Sequence, residues 1–330
     1  MTAVSRLLTE ERDDAVDAGC DVGVLLPADF ALESGDRLSR PEIVLRIYGD
    51  RALPKVLVAG GISAGRAVAD HGREKGWWRA IVNGGGAVDL NDFCVIGFDF
   101  LPNVGEAART ISTGDQARAL ARALDAIKVA KLHAFVGASY GGMVALAFAE
   151  AFPHRLERLC VLSAADRPQP AATALRGVQR RIVAFARRVG AAEEGVSLAR
   201  QLAMIAYRTP EEFAARFAHE SGAAAGDPYD VCRYLISRGG AFRMSAERYV
   251  TLSDSIDRHA IDPRKVKAPA LFLASLSDRL VPPEDIERLS RQVERGAYVA
   301  FNSLYGHDAF LKETATIGPV IKSFIEEAQP

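Results

Sequence analysis

One stretch constrains this chain more than any other: Leu132-His133-Ala134-Phe135-Val136-Gly137-Ala138-Ser139-Tyr140-Gly141-Gly142-Met143-Val144-Ala145-Leu146-Ala147. An apolar run of strand length ends in Gly-x-Ser-x-Gly and continues into strong helix formers. The pattern reads as a buried strand, a turn too sharp for a Cβ at positions 137 and 141, and a helix. Such a turn lifts the Ser139 hydroxyl clear of the sheet. It also aims the first N–H groups of the helix at the same point, where they stabilise negative charge. Ser139 is therefore a candidate nucleophile. The pattern alone is permissive, because Gly61-Ile62-Ser63-Ala64-Gly65 matches it too. After Ser63 comes Arg66-Ala67-Val68-Ala69-Asp70-His71, with no sustained apolar face, so the flanks favour Ser139.

The rest of the chain supplies a sheet for that turn to stand on. Strand-like runs occur at 43–48, 55–59, 93–98, 132–138, 159–163, 270–274 and 297–301. Helical spacing separates them at 115–126, with Leu120, Leu124 and Ile127 on one face, and again at 143–152, 283–292 and 317–327. Strands that are apolar throughout and alternate with helices predict a mostly parallel sheet covered on both faces. Between 165 and 262 the strand signal disappears. That segment is rich in alanine and arginine and has helical periodicity, broken at Gly190, Pro210, 222–228 and Gly239-Gly240. The expected organisation is an α/β core over 1–164 and 263–330, with an inserted helical cap over 165–262. Residues 1–20 are polar and acidic and are expected to be peripheral or disordered.

Nucleophilic serine chemistry needs a base, and the base needs an acid to orient it. A strand–elbow–helix carrying the serine is the hallmark of the α/β-hydrolase fold, where the chain order is Ser, then Asp or Glu, then His. Asp278 follows the run 270–274, and His307 follows the run 297–301. Both fall where a parallel sheet has its carboxyl edge. Glu284 and Asp285 open a helix, where acidic residues stabilise the N-terminus instead. His133, within the elbow strand, and His71, His154, His219 and His259, in or near helices, read as surface or core residues. The oxyanion hole is expected from the N–H of Tyr140, after the nucleophile, and that of Ile62, in the loop after the run 55–59.

A formal net charge of −1 argues against nucleic acid as a partner. No apolar run reaches the roughly 18 residues that span a bilayer, and no basic-then-apolar leader opens the sequence, so no membrane association and a cytoplasmic location are expected. Cys94 and Cys160 lie in apolar runs and read as buried thiols, with no metal site implied.

Four further segments carry a resemblance. The elbow extended through Gly142-Met143, the pair Trp77-Trp78 after Gly76 with its downstream Gly84-Gly85-Gly86 loop and Val88-Asp89, the segment 207–213, and Tyr305-Gly306-His307-Asp308-Ala309-Phe310-Leu311 together make the chain similar to the homoserine O-acyltransferases. The likeness runs from about 41 to 327. It implies Ser139, Asp278 and His307 as a triad and a ping-pong transfer. The donor would be an acyl-CoA co-substrate, succinyl-CoA or acetyl-CoA, with no permanently bound cofactor, and the acceptor L-homoserine. It implies that Arg180 takes the acceptor's carboxylate and Asp308 its ammonium, and that the enzyme is a homodimer. Arg66, Arg279 and Leu280 are candidates for telling the donors apart. The remaining basic residues of the cap's first half, including Arg176 and Arg200, read as solvated helix faces, with contact to the CoA phosphates as the alternative. Two departures stand out: Tyr140 replaces the family's usual methionine, and the 103–114 stretch is short. An esterase or thioesterase on the same triad, or transfer to serine, would use the same residues.

Overall fold

The structure is a computed structural model and describes residues 19–39, 41–103, 105–217 and 229–327. Its first half contains β1 (Cys20–Leu25), β2 (Glu42–Tyr48), β3 (Lys55–Ala59), β4 (Val82–Asn83), β5 (Val88–Asp89), β6 (Cys94–Phe98), α1 (Thr113–Ala126), β7 (Leu132–Ala138), α2 (Tyr140–Ala151) and β8 (Leu156–Leu162). Then come α3 (Pro170–Arg188), α4 (Ala192–Tyr207), α5 (Pro210–Arg216), α6 (Asp230–Gly240) and α7 (Ala246–Asp257), with no strand among the described residues between them. The chain closes with β9 (Ala270–Ser275), α8 (Pro283–Gln292), β10 (Gly296–Phe301), α9 (Ala309–Lys312) and α10 (Thr314–Glu326).

Eight strands form one sheet in the order β1-β2-β6-β3-β7-β8-β9-β10, parallel from β6 to β10 and antiparallel where β2 meets β1 and β6. Every residue of β6 and β9 is buried, as a strand covered on both faces requires. Side chains alternate between two cores. Leu57, Phe135, Val161 and Phe272 pack with Leu120 of α1, Val144 of α2 and Leu289 of α8. Val58, Val136, Cys160 and Leu273 pack on the opposite face with Trp78 and with Ile317, Ile321 and Ile325 of α10. Cys94 and Cys160 are buried free thiols.

The expected strands and helices are present, most within a residue or two. At the chain's start the sequence reading missed a strand. Residues 1–18 lie outside the described residues, but Cys20–Leu25 is an edge strand on β2. It was hidden because only Val22 and Val24 turn inward while Asp21 and Gly23 break the β signal. What holds it is Arg46, buried in β2, whose Nη2 donates to Asp21 at 2.9 Å. His219 and the break at 222–228 also lie outside the described residues. His259 is a core histidine: its Nδ1 is 2.8 Å from Thr113 Oγ1, and burial pulls its pKa down to about 4. No described helix is long and apolar enough to cross a membrane.

Candidate active site

β7 delivers the elbow. Ser139 sits at φ 54°, a conformation that costs an L-residue energy and persists only where its surroundings hold it. Here they do. Ser139 N–H donates to Leu162 O on β8 at 2.9 Å, and Gly141 N–H donates to Gly60 O at 2.7 Å. The two glycines are sterically required. A Cβ at 137 would lie 2.5 Å from Gly141 O, and one at 141 would lie 2.4 Å from the Ala59 carbonyl. Ser63 has no comparable setting, since no helix follows it, although it does line the same cavity.

The carboxyl edges of β9 and β10 bring Asp278 and His307 to the serine. Ser139 Oγ is 2.8 Å from His307 Nε2, and His307 Nδ1 is 2.7 Å from Asp278 Oδ2. Asp278 and His307 are both buried. The second oxygen of Asp278 accepts from Leu280 N–H at 2.9 Å and Val281 N–H at 3.0 Å, which fixes the carboxylate plane. A carboxylate so placed accepts from Nδ1 and leaves Nε2 as the acceptor facing Ser139. Burial alone would pull the His307 pKa down, but the Asp278 charge and hydrogen bond outweigh it and raise the pKa above the ordinary histidine value. Asp308 raises it further, and Arg176 opposes.

Gly61, Ile62 and Tyr140 line the cavity beside Ser139. A Cβ on Gly61 would stand 4.0 Å from Ser139 Oγ, so the loop backbone runs close to the reacting oxygen. As the first residue of α2, Tyr140 has an N–H with no preceding helical turn to bond to. The tryptophan pair brackets this arrangement. Trp77 Nε1 donates to Gly65 O in the loop after β3, and Trp78 Nε1 donates to Phe310 O just beyond His307. The two rings stack at 5.2 Å, so one rigid unit props both loops.

The Tyr140 side chain points the other way, into a buried polar network that sequence reasoning did not anticipate. Its hydroxyl is 2.7 Å from Ser255 Oγ on α7 and accepts from Gln116 Nε2 of α1 at 3.2 Å. Burial pushes its pKa up to about 12 despite those bonds. Tyr140→Phe leaves two buried polar groups short of a partner and is expected to lower unfolding stability by about 1–3 kcal/mol, read from denaturant unfolding. A variant as stable as the parent would show that the network carries no such weight.

The remaining site residues fare unequally. Asp308 lines the cavity, with Arg208 Nε 3.4 Å from its Oδ2. Arg180 is not among the cavity-lining residues. Its Nη1 donates to Asp257 Oδ2 at 2.6 Å and to Ser253 O at 2.9 Å. Arg176, one turn earlier, shares Asp257 and does face the cavity, as does Arg200 of α4. The solvated-face reading of Arg176 and Arg200 is therefore corrected. Both lie on the inward stripe of their helices, with Ala172, Gln179 and Val183 on α3 and with Val196, Ala203 and Met204 on α4. Of the donor-selecting candidates only Leu280 reaches the cavity. Arg66 is tied to Asp99 and Asp21, and Arg279 lines a neighbouring groove with Leu280 and Phe213. The cavity, of about 170 Å³, is floored by Ser139 and His307 and roofed by residues of α3, α4 and α7.

Fold and site geometry together put the chain in the α/β-hydrolase class, and the α/β hydrolase fold family matches it over residues 56–314. The chain is 42% identical over 281 residues to the homoserine O-succinyltransferase of Xanthomonas campestris pv. campestris, covering 83% of this chain and 76% of that one. It is 32% identical over 286 residues to the homoserine O-acetyltransferase of Thermus thermophilus, covering 77% and 73%. It belongs to the homoserine O-acyltransferase family. Among solved structures, esterase E22 superposes with a TM-score of 0.83 at 18% identity, over 93% of this chain and 100% of that one. That likeness speaks for the fold alone, so the architecture does not by itself separate acyl transfer from hydrolysis.

Proposed function

We propose that the chain transfers an acyl group from acyl-CoA to the hydroxyl of L-homoserine through an acyl-Ser139 intermediate, in methionine biosynthesis, with succinyl-CoA as donor. The observation that carries the reading is the continuous hydrogen-bonded line from Ser139 Oγ through His307 to Asp278 on the floor of a roofed cavity, in a chain 42% identical to a homoserine O-succinyltransferase.

His307 Nε2 takes the Ser139 proton as Oγ attacks the thioester carbon. The Ile62 and Tyr140 N–H groups receive the oxyanion. The C–S bond then breaks, and CoA leaves as the thiol with the proton from His307. In the second half His307 deprotonates the homoserine hydroxyl, which attacks the acyl-serine and returns Ser139 to its hydroxyl form. Water competes at this stage, and the roof of α3, α4 and α7 favours homoserine by limiting its access. Acyl-CoA is a co-substrate, and no resident cofactor enters the scheme. The reading carries with it a cytoplasmic homodimer working on small molecules.

Homoserine brings a carboxylate and an ammonium on one carbon. The Arg176–Asp257–Arg180 group holds two cations against one carboxylate, which suits the former, and Asp308 beside His307 suits the latter. Arg180 acts by exchanging Asp257 for the acceptor's carboxylate or by holding Asp257 on Arg176. In either case Arg180→Ala and Asp308→Ala are expected to cut transfer to homoserine by roughly 30-fold or more while CoA release continues and slow hydrolysis takes over. Near-parental transfer by both variants would sink this assignment.

The test of the whole reading is a screen of acetyl-CoA and succinyl-CoA against homoserine, serine and water, with mass detection of products. O-succinylhomoserine as the main product supports it. Free acid as the main product, with homoserine present, would make the protein a thioesterase.

A further inference from the structure

Gln179 of α3 is a polar side chain, only 3% exposed, in the roof of the cavity. Its carbonyl end is occupied. Tyr249 of α7, also buried and also on the cavity, donates its hydroxyl proton to Gln179 Oε1 at 3.1 Å. That bond fixes which way the amide faces. The phenol has no other acceptor among the described residues, so turning the amide over would leave its proton unpaired. The Nε2 end therefore carries two N–H donors, and no acceptor among the described residues meets them. Nε2 is not sealed inside the protein, as Arg109 Nε is, for example. A buried amide with one end locked and the other open to a cavity presents its donors to whatever fills that cavity. One turn earlier on the same face of α3, Arg176 lines the cavity as well.

We infer that Gln179 is a specificity-determining residue that holds an oxygen of a substrate carboxylate through Nε2–H, with Tyr249 as the residue that positions the amide. This role rests on the acyl-transfer reading above and adds a residue to it. A donor needs an acceptor, and the transferred group and homoserine offer few. The ammonium of homoserine is itself a donor. The thioester oxygen belongs to the Ile62 and Tyr140 N–H groups, and the reacting hydroxyl to His307. What remains is carboxylate: the α-carboxylate of the acceptor, or the distal one of a succinyl group. Both present the same chemistry to Gln179, a charge-assisted bond from a neutral N–H. Arg176 supplies the attraction, and the amide adds direction without adding charge. The bond discriminates because a carboxamide of the same size, or a wrongly placed carboxylate, leaves the locked amide without its best partner.

The test compares kcat/KM within two matched pairs that exchange a carboxylate for a carboxamide of the same size. Succinyl-CoA is set against succinamoyl-CoA in CoA release, and homoserine against homoserinamide in acyl transfer. Gln179→Glu keeps an oxygen for Tyr249 and puts a second oxygen where the NH₂ stood. It is expected to lower the preference for the carboxylate in one pair by about 30-fold or more, turning it toward the carboxamide, whose own NH₂ can donate to the new side chain. Gln179→Leu is expected to lower the same preference by about 10-fold, and Tyr249→Phe, which lets the amide turn, by less. A change in the donor pair names the distal carboxylate of the acyl group as the ligand, and a change in the acceptor pair names the α-carboxylate of the amino acid. Ratios unchanged in both pairs would overturn the inference. So would an equal fall in kcat/KM for all four compounds, which is what a purely structural role gives. Should Gln179→Glu fail to fold by circular dichroism, Gln179→Leu decides on the same ratios. Failure of every thioester to acylate Ser139 is a different result, because it removes the acyl-CoA reading itself.

Discussion

Ser139→Ala is expected to abolish the covalent acyl adduct and to lower turnover on the order of 10³-fold or more. The residue has no other structural duty. Its hydroxyl faces His307 Nε2 at 2.8 Å, and its strained backbone is held by bonds from Ser139 N–H and Gly141 N–H that alanine and the unchanged glycine also make. The variant should therefore fold and bind donor without reacting. Ser63→Ala is the matched control, because Ser63 lines the same cavity within the same five-residue pattern. Intact-mass measurement after mixing with acyl-CoA separates them. An adduct on Ser139→Ala would mean that the nucleophile lies elsewhere.

The second large effect belongs to Asp278→Asn. The amide has the size of the carboxylate, so the bonds from the Leu280 and Val281 N–H groups can persist through its carbonyl oxygen. What faces His307 Nδ1 is then an NH₂ donor, which favours the imidazole with its proton on Nε2, pointing at Ser139. That tautomer cannot accept the serine proton. A loss on the order of 10³–10⁴ in kcat/KM is expected. The pH profile adds a sign. Only neutral His307 acts as base, and its pKa is raised, so parental activity should fall as pH drops through a value above that of ordinary histidine. Burial disfavours the charged ring and remains in the variant, while the Asp278 charge is gone. The acid limb of the residual activity should therefore move to lower pH. A limb at the same pH in both proteins would show that another group sets it.

The legible part of the site was the part built by strands. Ser139 and Asp278 each follow an apolar run that forms a buried strand, His307 follows the edge strand β10, and parallel strands place their carboxyl ends together. Ile62 and Tyr140 came with the same rule. Arginines were harder, because a long side chain is placed by partners that sequence does not put near it. Arg66 is spent on Asp99 and Asp21, which are 33 and 45 residues away, and Arg180 on Asp257, 77 residues away. Arg176 and Arg200 did leave a trace, since each interrupts the buried stripe of an amphipathic helix. A cation on an inward stripe is costly unless it serves something. The edge strand β1 left almost none, having only two inward side chains.

The contact between α5 and the histidine loop bears on how this scaffold could be re-engineered. Thr209 Oγ1 donates to Leu304 O at 2.6 Å, and Gly306, at φ 57°, has Tyr207 O only 2.7 Å from where a Cβ would stand. The segment that leads from α4 into α5 is thus part of the mould in which the catalytic base is cast. A chimera that exchanged the helices between β8 and β9 for those of another hydrolase, to import a new acceptor, would also recast the His307 loop. Such grafts should keep residues 207–209 with the host, or carry 304–308 along with the insert.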